Sequence, residues 1–199
     1  MTQARAAIFL SGRGSNAQAL LEAAEATDYP VRFVGVLSDQ ADAKGLAIAE
    51  RYGVPTAAIE RSGDEARADH EARIEAQLVD WRPDLICLAG YMRILSATFT
   101  RRWEGRLLNI HPSLLPSFPG LDTHARALQR GVRVHGCTVH LVTEGVDEGP
   151  ILDQSAVRVE PDDTADTLAA RVLRVEHALY HRVLAQHARS LGFTGMPSA

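Results

Sequence analysis

Residues 6–16, with the sequence AAIFLSGRGSN, place an apolar strand, a loop with two glycines and the start of a helix side by side. The strand covers residues 6–10. The helix is expected from Ser15 to about Thr27, because that segment is rich in alanine and leucine. A strand that leads through glycines into a helix is typical of folds with a parallel sheet. This stretch therefore sets the expected class of fold for the rest of the chain.

The alternation of strand and helix continues through the first half of the chain. Strands are predicted at 31–38, 56–59, 84–88 and 107–110, and helices at 43–52, 64–81 and 96–103. Right-handed crossovers then give an α/β fold, with a Rossmann-like, mostly parallel twisted sheet and helices on both faces.

The second half of the chain departs from this alternation. A helix at 123–129 precedes two strands, 137–142 and 151–159, whose connection suggests an appended hairpin or sheet edge. A long helix begins near Thr164. We expect a single domain over residues 1–199, in which the first half binds a nucleotide and the second half completes the active site.

Composition narrows the class of partner. The formal net charge is only −4, Lys44 is the sole lysine, and the arginines are scattered, which argues against nucleic-acid binding. No apolar run is long enough to cross a bilayer, so no membrane partner is expected. Cys87 and Cys137 lie in apolar runs and are expected to be buried free thiols. We therefore expect a cytoplasmic protein that acts on small molecules.

The glycine loop, residues 11–16, is compatible with three interpretations. Its backbone N–H groups and the following helix N-terminus suit a phosphate. Gly12, Gly14 and Ala17 also have dinucleotide spacing, and Asp39 lies where an acid could bind a ribose, as in a nicotinamide-dependent oxidoreductase. A plain tight turn is the third possibility. For the function of the whole protein, a nucleotide-binding module without catalysis is a further hypothesis.

The stretch Leu107–Gly120 carries the clearest chemical signal. In an extended chain Asn109 and His111 point to the same face, at the carboxyl end of a predicted parallel strand, where ligands bind. Pro112, Pro116 and Pro119 stiffen the loop that follows. An amide and an imidazole held together suit acyl transfer, which creates an oxyanion and moves a proton.

An acidic loop, residues 143–150, follows one of the later strands. It contains Glu144, Asp147 and Glu148 between glycines. A carboxylate turned inward against His111 would favour the imidazolium or hold a water that relays protons. Sequence spacing does not decide which of the three acids turns inward.

The four segments 11–16, 88–95, 109–116 and 146–150 together resemble the folate-dependent phosphoribosylglycinamide formyltransferases. The similarity spans essentially the whole chain, in the same order. It implies transfer of the formyl group of 10-formyltetrahydrofolate, a co-substrate, to the amine of glycinamide ribonucleotide in de novo purine biosynthesis. Sequence does not decide between a monomer and a homodimer, and a direct transfer needs no metal.

The resemblance also implies roles for individual residues. Asn109, His111 and Asp147 match the catalytic trio. Ribonucleotide-binding positions are Gly14, Ser15, Asn16 and Glu176, and folate-binding positions are Met92, Arg93, Ile94, Leu95, Val142, Thr143 and Glu144. Asp122 stands where relatives often have histidine. The roles of Asp122 and His124, and whether the Leu115–Pro116 peptide is cis, stay open.

Overall fold

Strands and helices alternate along the chain, as the sequence predicts. The computed structural model describes residues 2–195. Its strands are β1 (Ala4–Leu10), β2 (Val31–Ser38), β3 (Thr56–Ala58), β4 (Leu85–Leu88), β5 (Leu107–His111), β6 (Val134–Leu141) and β7 (Ile151–Arg158). Its helices are α1 (Ser15–Ala23), α2 (Lys44–Arg51), α3 (Arg67–Trp81), α4 (Ala97–Arg102), α5 (Thr123–Gln129) and α6 (Ala165–Ser190).

The strands form one sheet in the order β3-β2-β1-β4-β5-β6-β7. The pairings from β3 to β5 are all parallel. The chain first builds outward from β1 to β3 and then returns to place β4 on the other side of β1. The carboxyl ends of β1 and β4 therefore flank a topological switch point, where open α/β sheets bind ligands.

Both pairings at this edge of the sheet are antiparallel, so β6 runs opposite to the other six strands, including β7. β6 pairs with β5, and β7 pairs with β6, which confirms the predicted hairpin at the sheet edge. The register places Asn109 directly opposite His140 and His111 opposite Thr138. This pairing decides which side chains of β6 stand beside those of β5.

Two apolar layers cover the sheet. One contains residues of α1, α2 and α6, including Leu20, Leu46 and Val172. The other contains residues of α3 and α4, including Ile74 and Phe99. The mostly parallel sheet with helices on both faces is therefore confirmed.

Three predicted boundaries are wrong. α3 begins at Arg67 rather than at residue 64, because residues 63 and 64 form a turn in which Glu65 N donates to Ser62 O at 3.1 Å. α1 ends at Ala23 rather than near Thr27, because the next amides bond three residues back, Glu25 N to Glu22 O at 3.2 Å, and Pro30 follows a turn. β6 begins at Val134 rather than at residue 137, because residues 134–136 continue the ladder against β7. A glycine in a strand-like stretch often indicates a bulge or an interruption, so Gly136 gives no sequence signal that the strand extends through it.

Candidate active site

His111 ends β5 and is buried with a partner on each ring nitrogen. Its Nδ1 lies 3.3 Å from Asp147 Oδ2, and its Nε2 lies 3.1 Å from the carbonyl oxygen of Phe118. Both neighbouring atoms are acceptors, and only the imidazolium donates from both nitrogens. At 3.3 Å the contact to Asp147 is longer than a tight charge-assisted hydrogen bond, and it is an ion pair when His111 is protonated.

Asp147 is the acid that turns inward. Its Oδ2 accepts a 2.8 Å hydrogen bond from Gly120 N in addition to facing His111. Its φ is +57°, a left-handed conformation that aspartate tolerates better than most residues. Of the other two acids, Glu144 pairs with Arg101 and Glu148 is exposed. The structure thus chooses among the three carboxylates that the sequence left open.

His140 on β6 completes the cluster and was missed by sequence reasoning. Its Nδ1 lies 3.0 Å from Leu141 O and its Nε2 lies 3.2 Å from Asn109 Nδ2. A neutral ring that donates from Nδ1 has a lone pair on Nε2, which accepts from the amide of Asn109. Burial lowers the pKa of His140, against the hydrogen bond to Leu141 and the attraction of Asp147, whose Oδ1 lies 3.7 Å away.

The β5–β6 register is the signal that could have found His140. An antiparallel pair puts residues directly opposite each other within reach, and Asn109 faces His140 in this register. Sequence alone did not supply that register, because the long connection from residue 112 to residue 133 does not set it.

Thr138 fixes the loop that follows His111. Its buried hydroxyl donates to Ser113 O at 2.7 Å and accepts from Leu115 N at 3.0 Å. Gln154 of β7 donates to the same hydroxyl and to Leu115 O. The Leu115–Pro116 peptide is cis. The antiparallel edge therefore supports the loop as well as adding an imidazole.

The glycine loop leads into α1 at the switch point. Gly14 precedes the helix with φ of +76°, and its Cα packs against Gly45, so a side chain there would collide with backbone. Asn16 Nδ2 donates to Glu176 Oε2 at 2.7 Å. Burial raises the pKa of Glu176, against the hydrogen bond from Asn16 and the charge of Arg13. Three of the four predicted ribonucleotide positions are consecutive, and the fourth, Glu176, contacts this loop.

Asp39 is buried and ion-paired, so it does not fit the ribose-binding role that a dinucleotide site would give it. It is 2% exposed, and its Oδ2 accepts a 2.6 Å hydrogen bond from Arg93 Nε. Burial alone would raise the pKa of Asp39, but hydrogen bonds from Ser11, Arg93 and Gln40 lower it. Its carboxylate therefore holds the segment after β4 instead of standing free at the end of β2.

Ser11 joins the glycine loop to the same segment. Its N–H donates to Gly90 O at 3.0 Å, and its hydroxyl accepts from Met92 N at 2.8 Å. Met92 and Ile94 are each 61% exposed, whereas Leu95 is buried. The exposed apolar side chains of this segment therefore face outward, while hydrogen bonds to Ser11 hold its backbone.

The second group of predicted folate positions follows β6. Val142 N donates to Leu107 O at 2.8 Å, and its side chain packs on the apolar layer of α3 and α4. Thr143 and Glu144 are exposed. All three stand at the start of the loop that carries Asp147 inward.

Most of the chain is similar in sequence to known proteins. The family model described as formyl transferase matches residues 4–184. The chain belongs to the formyl transferase family. Within the family it is 41% identical to phosphoribosylglycinamide formyltransferase of Escherichia coli (strain K12), covering 91% of this chain and 85% of that protein.

Solved structures of the formyl transferase family have the same fold as this chain. The crystal structure of phosphoribosylglycinamide formyltransferase from Brucella melitensis superposes with a TM-score of 0.91 at 53% identity, covering 100% of both chains. The chain is also 45% identical to the trifunctional purine biosynthetic protein adenosine-3 of Bos taurus, of whose length it spans only 18%. These matches do not support the oxidoreductase alternative.

Two further observations concern the rest of the described chain. Cys87 and Cys137 are buried and unbonded, as predicted, and burial raises the pKa of each thiol to about 12. Within residues 2–195, no helix combines the length and apolar character that crossing a bilayer requires.

Proposed function

We propose that this protein transfers the formyl group of 10-formyltetrahydrofolate to the amine of glycinamide ribonucleotide, with Asn109, His111 and Asp147 as its catalytic groups. The observation that carries the proposal is their convergence: His111 Nδ1 lies 3.3 Å from Asp147 Oδ2, and both Asn109 and Asp147 contact His140. Membership of the formyl transferase family supports the class of reaction.

The reaction is a direct transfer. The amine nitrogen attacks the formyl carbon, a C–N bond forms, and the carbonyl electrons move to oxygen. The tetrahedral intermediate then expels the folate nitrogen, which takes up a proton, while the former amine loses one. This balance needs no metal and no covalent bond to the enzyme.

Each of the three residues has a distinct part in the proposed step. One amide hydrogen of Asn109 is held by His140, which leaves the second for the oxyanion. His111 adds its Nδ1–H, and donors of this kind contribute about 2.7–4 kcal/mol each to the transition state. Asp147 stabilises the imidazolium and supports movement of the amine proton through a bound water.

The substrates bind on opposite sides of these groups. Backbone amides of Gly14, Ser15 and Asn16, at the start of α1, hold the ribonucleotide phosphate. The buried carboxylate of Glu176, oriented by Asn16, accepts from the ribose hydroxyls. Glu176 lies on the buried face of α6, four residues after Val172 and three before Leu179, and it contacts the glycine loop through Asn16.

The folate occupies the apolar side. Met92, Arg93, Ile94 and Leu95 form one wall, which holds the pterin largely through backbone groups. Residues 142–144 form the other wall. The two exposed apolar side chains of the first wall, Met92 and Ile94, would be covered by the bound ligand.

The proposal also covers the setting of the reaction. We treat residues 1–199 as one formyltransferase domain that works on two small molecules in the cytoplasm, as a monomer or homodimer, without nucleic acid or membrane. Two buried thiols with no disulfide fit a reducing compartment.

A formyl-transfer assay with both substrates tests the proposal directly. The wild-type protein should form tetrahydrofolate only when the ribonucleotide is present. Asp147→Asn should lower kcat by about 10²-fold or more while circular dichroism stays unchanged, because the imidazolium loses its counter-charge. The matched control is Glu148→Gln, an exposed acid in the same loop, which should stay within about twofold of wild type. Equal losses in both variants would contradict the role of Asp147.

A further inference from the structure

The turn formed by residues 118–121 contacts both proposed catalytic side chains. The carbonyl oxygen of Phe118 lies 3.1 Å from His111 Nε2. The N–H of Gly120 donates to Asp147 Oδ2 at 2.8 Å. Two backbone atoms of one short turn therefore orient the imidazole and the carboxylate relative to each other.

The turn does not adopt the conformation that its residues prefer. Phe118 has φ of +56°, in the left-handed region that bulky side chains rarely occupy. Such a conformation persists only where contacts outside the turn maintain it. The aromatic ring packs edge-on against His135, which holds the side chain but not the backbone atoms that follow it.

Arg126 on α5 supplies contacts to that backbone. Its Nη1 donates to Pro119 O and, at 3.2 Å, to Leu121 O. Its Cζ lies 5.8 Å from the centre of the Phe118 ring, a cation–π distance. Among the residues that the structure describes, Arg126 makes no ion pair with a carboxylate. Its hydrogen bonds go to the turn.

We propose that Arg126 is a positioning residue for formyl transfer. Its guanidinium donates to the carbonyl oxygens on either side of Gly120 and so fixes the 118–121 turn. The turn then orients His111 and Asp147 relative to each other. The inference rests on the proposed function, since it assigns these two side chains to the reaction. A planar guanidinium suits the task, because its fixed fork of N–H groups can serve two carbonyl oxygens at once.

Arg126→Met tests this idea, because methionine keeps an unbranched side chain and removes the donors. The matched control is Arg130→Met, one helical turn further on and exposed. Steady-state kinetics should show kcat about 10- to 100-fold lower for Arg126→Met, with KM for both substrates within about threefold of wild type. Arg130→Met should match wild type. Arg126→Lys, which keeps a cationic N–H donor group but loses the planar fork, should recover part of the lost turnover.

A second readout separates positioning from activity. The ring ¹⁵N resonances of His111, assigned with His111→Gln, should move in Arg126→Met and stay in place in Arg130→Met. Turnover for Arg126→Met within about twofold of wild type, together with unmoved resonances, would overturn the inference. So would a rise in KM alone. If wild-type protein transfers no formyl group, the proposed function fails, and the resonances still decide whether Arg126 positions His111.

Discussion

His140 can hold the amide of Asn109 only while its imidazole is neutral. Burial lowers the pKa of His140 from the ordinary 6.5, so the ring remains an acceptor through the neutral range. Protonation at lower pH occupies the Nε2 lone pair and turns His140 into a cation beside Asp147. We therefore expect turnover to fall only at a pH clearly below 6.5, where His140 becomes protonated.

Substitution separates this effect from the titration of other groups. His140→Phe should lower kcat about 10-fold or more, with KM less affected, because Asn109 loses its partner. His140→Gln, which keeps an acceptor oxygen, should retain more activity and lose the part of the acid limb that belongs to His140. The kcat–pH profiles of the two variants and of wild type measure this. A profile of His140→Gln identical to that of wild type would contradict the assignment.

Glu176 is expected to act on binding rather than on chemistry. Glu176→Gln weakens an acceptor for the ribose hydroxyls but leaves the catalytic cluster in place, so KM for the ribonucleotide should rise about tenfold with kcat within about threefold. The control is Glu22→Gln, an exposed acid on the neighbouring helix α1. An effect confined to kcat would place Glu176 in the reaction itself and contradict its proposed role.

At the scale of single residues, sequence supplied the two β5 side chains and the candidate acids, but not their partners. Asn109 and His111 were predictable because strand geometry puts alternate residues on one face. His140, Phe118 and Arg126 were not, because each acts through a register or a turn conformation that only the folded chain defines. Residue type alone assigns no role to an arginine on a short helix such as α5.

At the scale of elements, the parallel half of the sheet was the most predictable part. β2 spans Val31–Ser38 as expected, since a nearly unbroken apolar run is typical of a strand buried on both faces. α6 begins after Thr164, whose side chain accepts from Thr167 N in a capping box. The ends of α1 and β6 were harder, because bonding in the last helical turn and pairing of the outer hairpin depend on neighbouring elements.

The junction between β1 and α1 makes a direct comparison of two glycines possible. Gly14→Ala would put a methyl group 2.4 Å from Gly45 Cα at a positive φ, and we expect it to lower the free energy of unfolding by at least about 2 kcal/mol. Gly12→Ala meets nothing within 4 Å and should change stability by less than about 1 kcal/mol. Urea unfolding measures both. Equal effects would show that the close approach of α2 does not constrain the loop.

At the scale of the whole molecule, buried imidazoles should make the fold sensitive to acid. Burial lowers the pKa of His135 from 6.5 to about 4, with the neighbouring His124 adding to the shift. The unfolded chain therefore binds a proton at a higher pH than the folded protein does. The free energy of unfolding falls as the pH falls from 6.5 towards 4, and this contribution levels off below that range.

A variant without this imidazole should show a weaker dependence. The difference in unfolding free energy between about pH 7 and about pH 5 should be smaller in His135→Gln than in wild type, whatever the variant's stability at neutral pH. Denaturant titrations at the two pH values test this. An unchanged difference would mean that the burial of His135 is not coupled to protonation.

Ser11 connects the two proposed binding regions, the glycine loop and the segment after β4. Since the same residue belongs to the loop proposed for phosphate and holds the segment proposed for the pterin, immobilising either side leaves less freedom to remove from the other. We expect positive cooperativity between the two ligands, with each raising the affinity of its companion by one and the same factor. Calorimetric titration of a non-reactive folate analogue, with and without the ribonucleotide, measures that factor. In Ser11→Ala it should shrink towards unity.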